Sequence, residues 1–132
     1  MKKLLAALLV VAALLTASSA YAGAKYLYVV YIGSNYAYGS LGSTRGSPYQ
    51  DYIGCRSLAT VSGGQTYASG LCFAYDRNGV YASCLTRVND QASLAVIESL
   101  GGDGYLQFNW DASGNCTQVY AMATSYVDPK VP

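Results

Sequence analysis

The sequence predicts an α+β domain: a mainly antiparallel β-sheet of about six strands, one α-helix packed on it, and disulfides holding the whole together. Three observations carry this. Runs rich in Val, Ile, Tyr and Thr are separated by Gly63-Gly64 and by two Asp-x-x-Gly turns, Asp76–Gly79 and Asp111–Gly114. One segment, Asn89–Leu100, switches to a helical apolar period. Four cysteines are spread widely through a chain that has no histidine.

Of the 132 residues, the first 22 read as a leader rather than as part of the domain. Lys2 and Lys3 precede an apolar run from Leu4 to Leu15, and Ala20-Tyr21-Ala22 has the small-x-small form of a cleavage site. The expectation is a signal peptide over 1–22 and a single small disulfide-stabilised domain over 23–132; a retained N-terminal anchor is the alternative. The apolar run is short for a membrane span, and no later segment is apolar enough, so the domain is expected to have no span of its own and to be secreted or periplasmic.

Lys25–Gly33, KYLYVVYIG, is β-branched and aromatic on both faces and predicts a covered strand. Ser34–Gln50 is rich in Gly, Ser and Tyr without a period, and predicts a long loop of the kind that binds something or moves. Asp51–Thr60 and Thr66–Tyr75 flank Gly63-Gly64 as the strands of a tight hairpin. Asp76–Gly79 joins the second of these to a strand at Val80–Thr86. The helix over 89–100 begins at a cap, Asn89 or Asp90, turns Leu94 and Ile97 to one side, and ends at Gly101-Gly102. Tyr105–Trp110 alternates, with Leu106, Phe108 and Trp110 on a core face and Tyr105, Gln107 and Asn109 opposite. Cys116–Val127 completes the set, followed by a short tail.

The two hairpins constrain the cysteines. Counting outward from Gly63-Gly64 places Cys55 opposite Cys72, in the pair type whose side chains lie closer. Counting outward from the Asp76 turn places Cys72 opposite Cys84, in the wider type. Cys72 can bond only one of them. The favoured pairing is Cys55–Cys72 with Cys84–Cys116; Cys72–Cys84 with Cys55–Cys116 is the rival, because one bulge changes the count.

Several chemistries are disfavoured. Without the leader's two lysines, six basic residues face seven acidic ones, so there is no basic stripe for nucleic acid. The absence of histidine removes the usual general base and the commonest metal ligand. Asp76 and Asp111 are explained as turn starters and Asp90 as a cap. Asp51 and Glu98 are the leftover candidates, with no motif around them, a thin basis for a hydrolase. Gly101–Tyr105 and Asp111–Asn115 bring oxygen ligands near glycines but lack the order of a calcium loop. The expectation is a protein that is not an enzyme and needs no cofactor or metal.

The anomaly is tyrosine, 14 in the chain and all but Tyr21 outside the leader. Tyrosine has a flat apolar body and a polar tip, suited to sugars and to protein interfaces. Tyr75 and Tyr81 are expected to face each other across a hairpin as a structural pair. The binding candidates are Tyr36, Tyr38, Arg45 and Tyr49, all in the predicted loop.

The runs YIGC, CFAYDRNGVYASC and YLQFNWDASGNC, spanning Tyr52 to Cys116, resemble small exported proteins of Gram-negative bacteria. That resemblance implies export and paired cysteines and no particular activity. The functional expectation is therefore an exported, non-enzymatic binding or structural protein that engages a glycan or an envelope protein through tyrosine-rich surface. The alternative is an inhibitor or effector of a cell-envelope enzyme.

Overall fold

The computed structural model describes residues 28–41, 50–101 and 104–123. The expected leader, the candidates Arg45 and Tyr49, Asp103 and the C-terminal tail lie outside these residues.

The described elements run β1 (Tyr31–Ile32), β2 (Tyr36–Ser40), β3 (Tyr52–Ser62), β4 (Gln65–Tyr75), β5 (Tyr81–Leu85), α1 (Gln91–Glu98), β6 (Tyr105–Trp110) and β7 (Cys116–Met122). The seven strands form two antiparallel sheets rather than one, in the orders β1-β2-β6-β7 and β3-β4-β5. Their facing sides share one core, in which Ala37, Leu106 and Phe108 of the first sheet meet Ile53, Ala74 and Cys72 of the second. Helix α1 adds Ile97 to that core.

Both hairpin registers follow from their turns. Gly63 and Gly64 have φ of 57° and 76°, the conformation a two-residue turn requires, and Cys55 stands opposite Cys72. The Asp76 turn puts Cys72 opposite Cys84 and Tyr75 opposite Tyr81. The bonds formed are Cys55–Cys72 and Cys84–Cys116. Cys84–Cys116 ties β5 of one sheet to β7 of the other. Beside it the sheets also touch through backbone, where Leu85 N–H donates to Gly114 O at 3.0 Å.

The two Asp-x-x-Gly turns are built alike. In one, Asp76 Oδ1 accepts from Asn78 N and Val80 N, each at 2.9 Å. In the other, Asp111 Oδ1 accepts from Ser113 N and Asn115 N at the same distance. Each carboxylate satisfies backbone donors that a hairpin loop would leave to water.

Four expectations need correction. The strand predicted over Lys25–Gly33 is confined, among the described residues, to Tyr31–Ile32. The predicted loop over 34–50 contains β2. Its inward residues, Ala37 and Gly39, are too small to display an apolar period. Gly39 is small for a reason: a Cβ on it would lie 3.0 Å from Val30 Cγ2 and 3.3 Å from Ile53 Cγ2. The helix begins as expected, with Asp90 accepting from Ser93 N at 3.3 Å and Ser93 Oγ at 2.8 Å. It ends at Glu98, before the glycines, with Ser99 as its C-cap. Finally, the strand predicted over Cys116–Val127 runs from Cys116 to Met122 and leaves out Ala123, while 124–127 lie outside the described residues.

The helix position explains another glycine. Gly70 on β4 lies under α1, where a Cβ would collide with Ile97 Cδ1. Its backbone N–H donates to Thr86 Oγ1 and its C=O accepts from Thr86 N, both at 2.8 Å. Asn89, at φ 57°, then continues along the same edge: its N–H donates to Ala68 O, and its Oδ1 accepts from Ala68 N. The residues between β5 and α1 thus cover a stretch of β4 that the short β5 leaves open.

Candidate tyrosine face

Because side chains alternate along a strand, burying Ala37, Gly39, Leu106 and Phe108 puts Tyr36, Tyr38, Tyr105, Gln107 and Asn109 on the outer face of the first sheet. The register builds two rows across it. One runs Tyr31, Tyr38, Gln107, Tyr120; the next runs Tyr36, Asn109, Gln118.

The rings touch. Tyr31 lies 5.5 Å from Tyr38 and 5.9 Å from Tyr36, centroid to centroid. Tyr36 and Tyr38 are 6.3 Å apart with ring planes 7° from parallel. Tyr38 continues to Tyr105 at 6.0 Å, and Tyr105 meets Tyr28 at 5.0 Å and Tyr120 at 6.2 Å, both edge-on. Six tyrosines thus form one contiguous array. Tyr31 and Tyr120 are exposed, at 48% and 45%, and the rest of the array is half-buried.

Amides complete the surface. Tyr105 OH donates to Gln107 Oε1 at 3.1 Å, and Gln107 Nε2 donates to Asn109 Oδ1 at 3.2 Å. These bonds fix how the amides are presented while leaving donors and acceptors to spare. At the turn between β1 and β2, Gly33 N–H donates to Tyr36 O at 2.8 Å, and the Tyr36 ring covers Gly33, where any Cβ would strike it. Trp110 N–H donates to Asn35 O at 3.0 Å and anchors that turn to β6.

The face is built without Asp, Glu, Lys or Arg side chains among its described residues. The Tyr31 phenol beside it holds the Tyr36 hydroxyl above the usual tyrosine range, with smaller contributions from desolvation and Tyr38. Burial raises Tyr105, assisted by the phenols of Tyr38, Tyr28 and Tyr120.

Where the array meets the second sheet there is an open hollow of about 370 Å³. Tyr28, Tyr31 and Tyr38 line one side, and Asp76, Arg77 and Asn78 of the β4–β5 turn line the other. Its size lies in the range of small-molecule sites, and it combines flat apolar walls with a few polar groups.

Of the sequence candidates, Tyr36 and Tyr38 stand together here, on a strand rather than in a loop. Tyr31, Tyr105, Tyr120 and Tyr28 were missed. The clean alternation of Tyr105, Gln107 and Asn109 signalled a polar face, but nothing local said that β2 would lie beside it. Trp110, expected in the core, is half-buried against it, 5.6 Å from Phe108. Asp51 and Glu98 differ in setting: Asp51 is 1% exposed and its Oδ1 has no hydrogen-bond partner among the described residues, whereas Glu98 is exposed on α1. Among the described residues, no three His, Cys, Asp or Glu side chains gather as metal ligands. No helix there is long and apolar enough to cross a membrane.

Comparison with protein-family models, with curated proteins and with solved structures returned no match for this chain.

Proposed function

We propose that this is an exported, non-enzymatic binding protein whose tyrosine face and adjoining hollow take a glycan. The observation that carries the reading is the contiguous array of Tyr31, Tyr36, Tyr38 and Tyr105 beside Gln107 and Asn109, opening into the hollow edged by Asn78. Sugars offer apolar C–H faces ringed by hydroxyls. Tyrosine rings match the first and amide and phenol groups match the second, and Asp76 and Arg77 are the charged groups at the edge of the hollow. Export is supported by the leader-like N-terminus and by two disulfides, which persist in oxidising compartments.

The test is binding to an array of envelope and extracellular glycans, followed by Tyr31→Ala and Tyr38→Ala on any ligand found. Each variant is expected to weaken binding about tenfold, roughly 1.4 kcal/mol, with folding unchanged. Unchanged affinity in both variants contradicts the proposal.

The alternative, an inhibitor or effector of a cell-envelope enzyme, draws on a different feature. The far end of the β3–β4 hairpin projects from the body, with Val61 at 72% exposure at its tip. This reading predicts a tight one-to-one complex, recoverable from envelope extract and lost in a Val61→Asp variant.

A further inference from the structure

β3 forms an edge of its sheet along all eleven of its residues. Because Ser62 and Gln65 flank a two-residue turn, their pair exchanges both backbone hydrogen bonds, and the pair types alternate from there. The N–H and C=O groups of Ile53, Cys55, Ser57, Ala59 and Val61 therefore point away from β4. None of these groups meets a backbone partner among the described residues. Exposed edges are normally blunted by proline, a bulge, charge or a covering segment. β3 has no proline, its register with β4 runs without a bulge, and its one charged residue is Arg56. From Arg56 onward the whole strand is exposed.

We propose that a second copy of this chain pairs with this edge, β3 against β3, antiparallel about a two-fold axis at Ser57. The edge is complementary to itself in that register. Ser57 is the midpoint of the strand. The outward-pointing groups meet one another, Cys55 with Ala59 of the other copy and Ser57 with its own counterpart, in about six new backbone hydrogen bonds, and the pairing stops short of the buried Ile53. On the opposite face the aliphatic stem of Arg56 packs on Leu58 of the other copy. Moving the axis one residue, to Arg56, sets two guanidinium groups opposite each other, which is unfavourable. The pairing joins two three-stranded sheets into one and uses no residue of the tyrosine face, so it stands apart from glycan binding. Such an isologous contact closes on itself and does not propagate into fibres.

Sedimentation of the oxidised protein from micromolar to millimolar concentration tests this. The expected result is a monomer–dimer equilibrium. Ser57→Pro removes one outward N–H and leaves the β3–β4 ladder whole. Ser57→Lys places two ammonium groups face to face at the axis. Both variants are expected to raise the dimer dissociation constant at least tenfold with both disulfides and the circular dichroism unchanged. If Ser57→Pro misfolds, Ser57→Lys decides alone. A wild-type protein that is monomeric throughout the range overturns the proposal, as does a dimer that Ser57→Lys leaves intact.

Discussion

Cys84 on β5 and Cys116 on β7 are bonded across the two sheets with their Cα atoms 5.0 Å apart, whereas Cys55 and Cys72 are bonded within one hairpin. The two bridges therefore do different work. The first closes a separation of 32 residues and fixes one sheet to the other; the second closes 17 residues that the Gly63-Gly64 turn already brings together. By loop-closure entropy, removing them should cost about 4 and about 3 kcal/mol respectively. Urea unfolding of the paired alanine variants, Cys84→Ala with Cys116→Ala and Cys55→Ala with Cys72→Ala, is expected to show the larger loss for the first pair. A peptide map of the oxidised protein should show no Cys72–Cys84 link.

Gly70 admits α1 onto β4. Gly70→Ala forces its new methyl into Ile97 Cδ1 and should destabilise by about 1–3 kcal/mol. Adding Ile97→Ala relieves the collision, so the double variant should lose less than the two single losses combined. Additive losses would show that the helix is not seated as described.

How much of this was legible in the sequence depended on turn chemistry. Gly63-Gly64 and Asp76–Gly79 specify their own turns, so register, cross-strand cysteines and the Tyr75–Tyr81 pair followed by counting. β2 is illegible because its inward residues are Ala37 and Gly39, which carry no hydrophobic signal; Gly39 is covered by Val30 and Ile53, packed from elsewhere in the chain. The division into two sheets was hidden for the same reason. Local periodicity shows that β6 has a core face, but not that β2 pairs with it. The tyrosine face is accordingly half legible: the sequence points to Tyr36 and Tyr38 as loop residues and to Tyr105 only as part of a polar face.

Acid should weaken the fold through two aspartates. Hydrogen bonds from Ser93 hold the Asp90 carboxyl below its usual range, and hydrogen bonds from Asn115 do the same for Asp111. A carboxyl lowered on folding contributes stability above its unfolded value of about 3.9 and loses it as pH falls further. Unfolding midpoints measured between about pH 6 and about pH 2 should fall across that window. The slope should be shallower in an Asp90→Asn, Asp111→Asn variant.

Alkali acts with the opposite sign. Tyr36 and Tyr105 are held above the usual tyrosine range, so their contribution is complete below about pH 10 and is lost as pH rises through their folded values. Ultraviolet titration of the phenols should show a late-titrating fraction that shrinks in Tyr36→Phe. A single unshifted transition would mean that the rings are not packed as described.

The central claim is that the outer face of the first sheet, and not the rest of the surface, receives a glycan. Ring-proton and amide shifts recorded by nuclear magnetic resonance during titration with a glycan selected from the array test it most directly. The expected result is that shifts concentrate on Tyr31, Tyr36, Tyr38, Gln107 and Asn78 and leave the exposed Val61 end of the β3–β4 hairpin unmoved. Shifts confined to that hairpin, with the tyrosine rings unchanged, would contradict it.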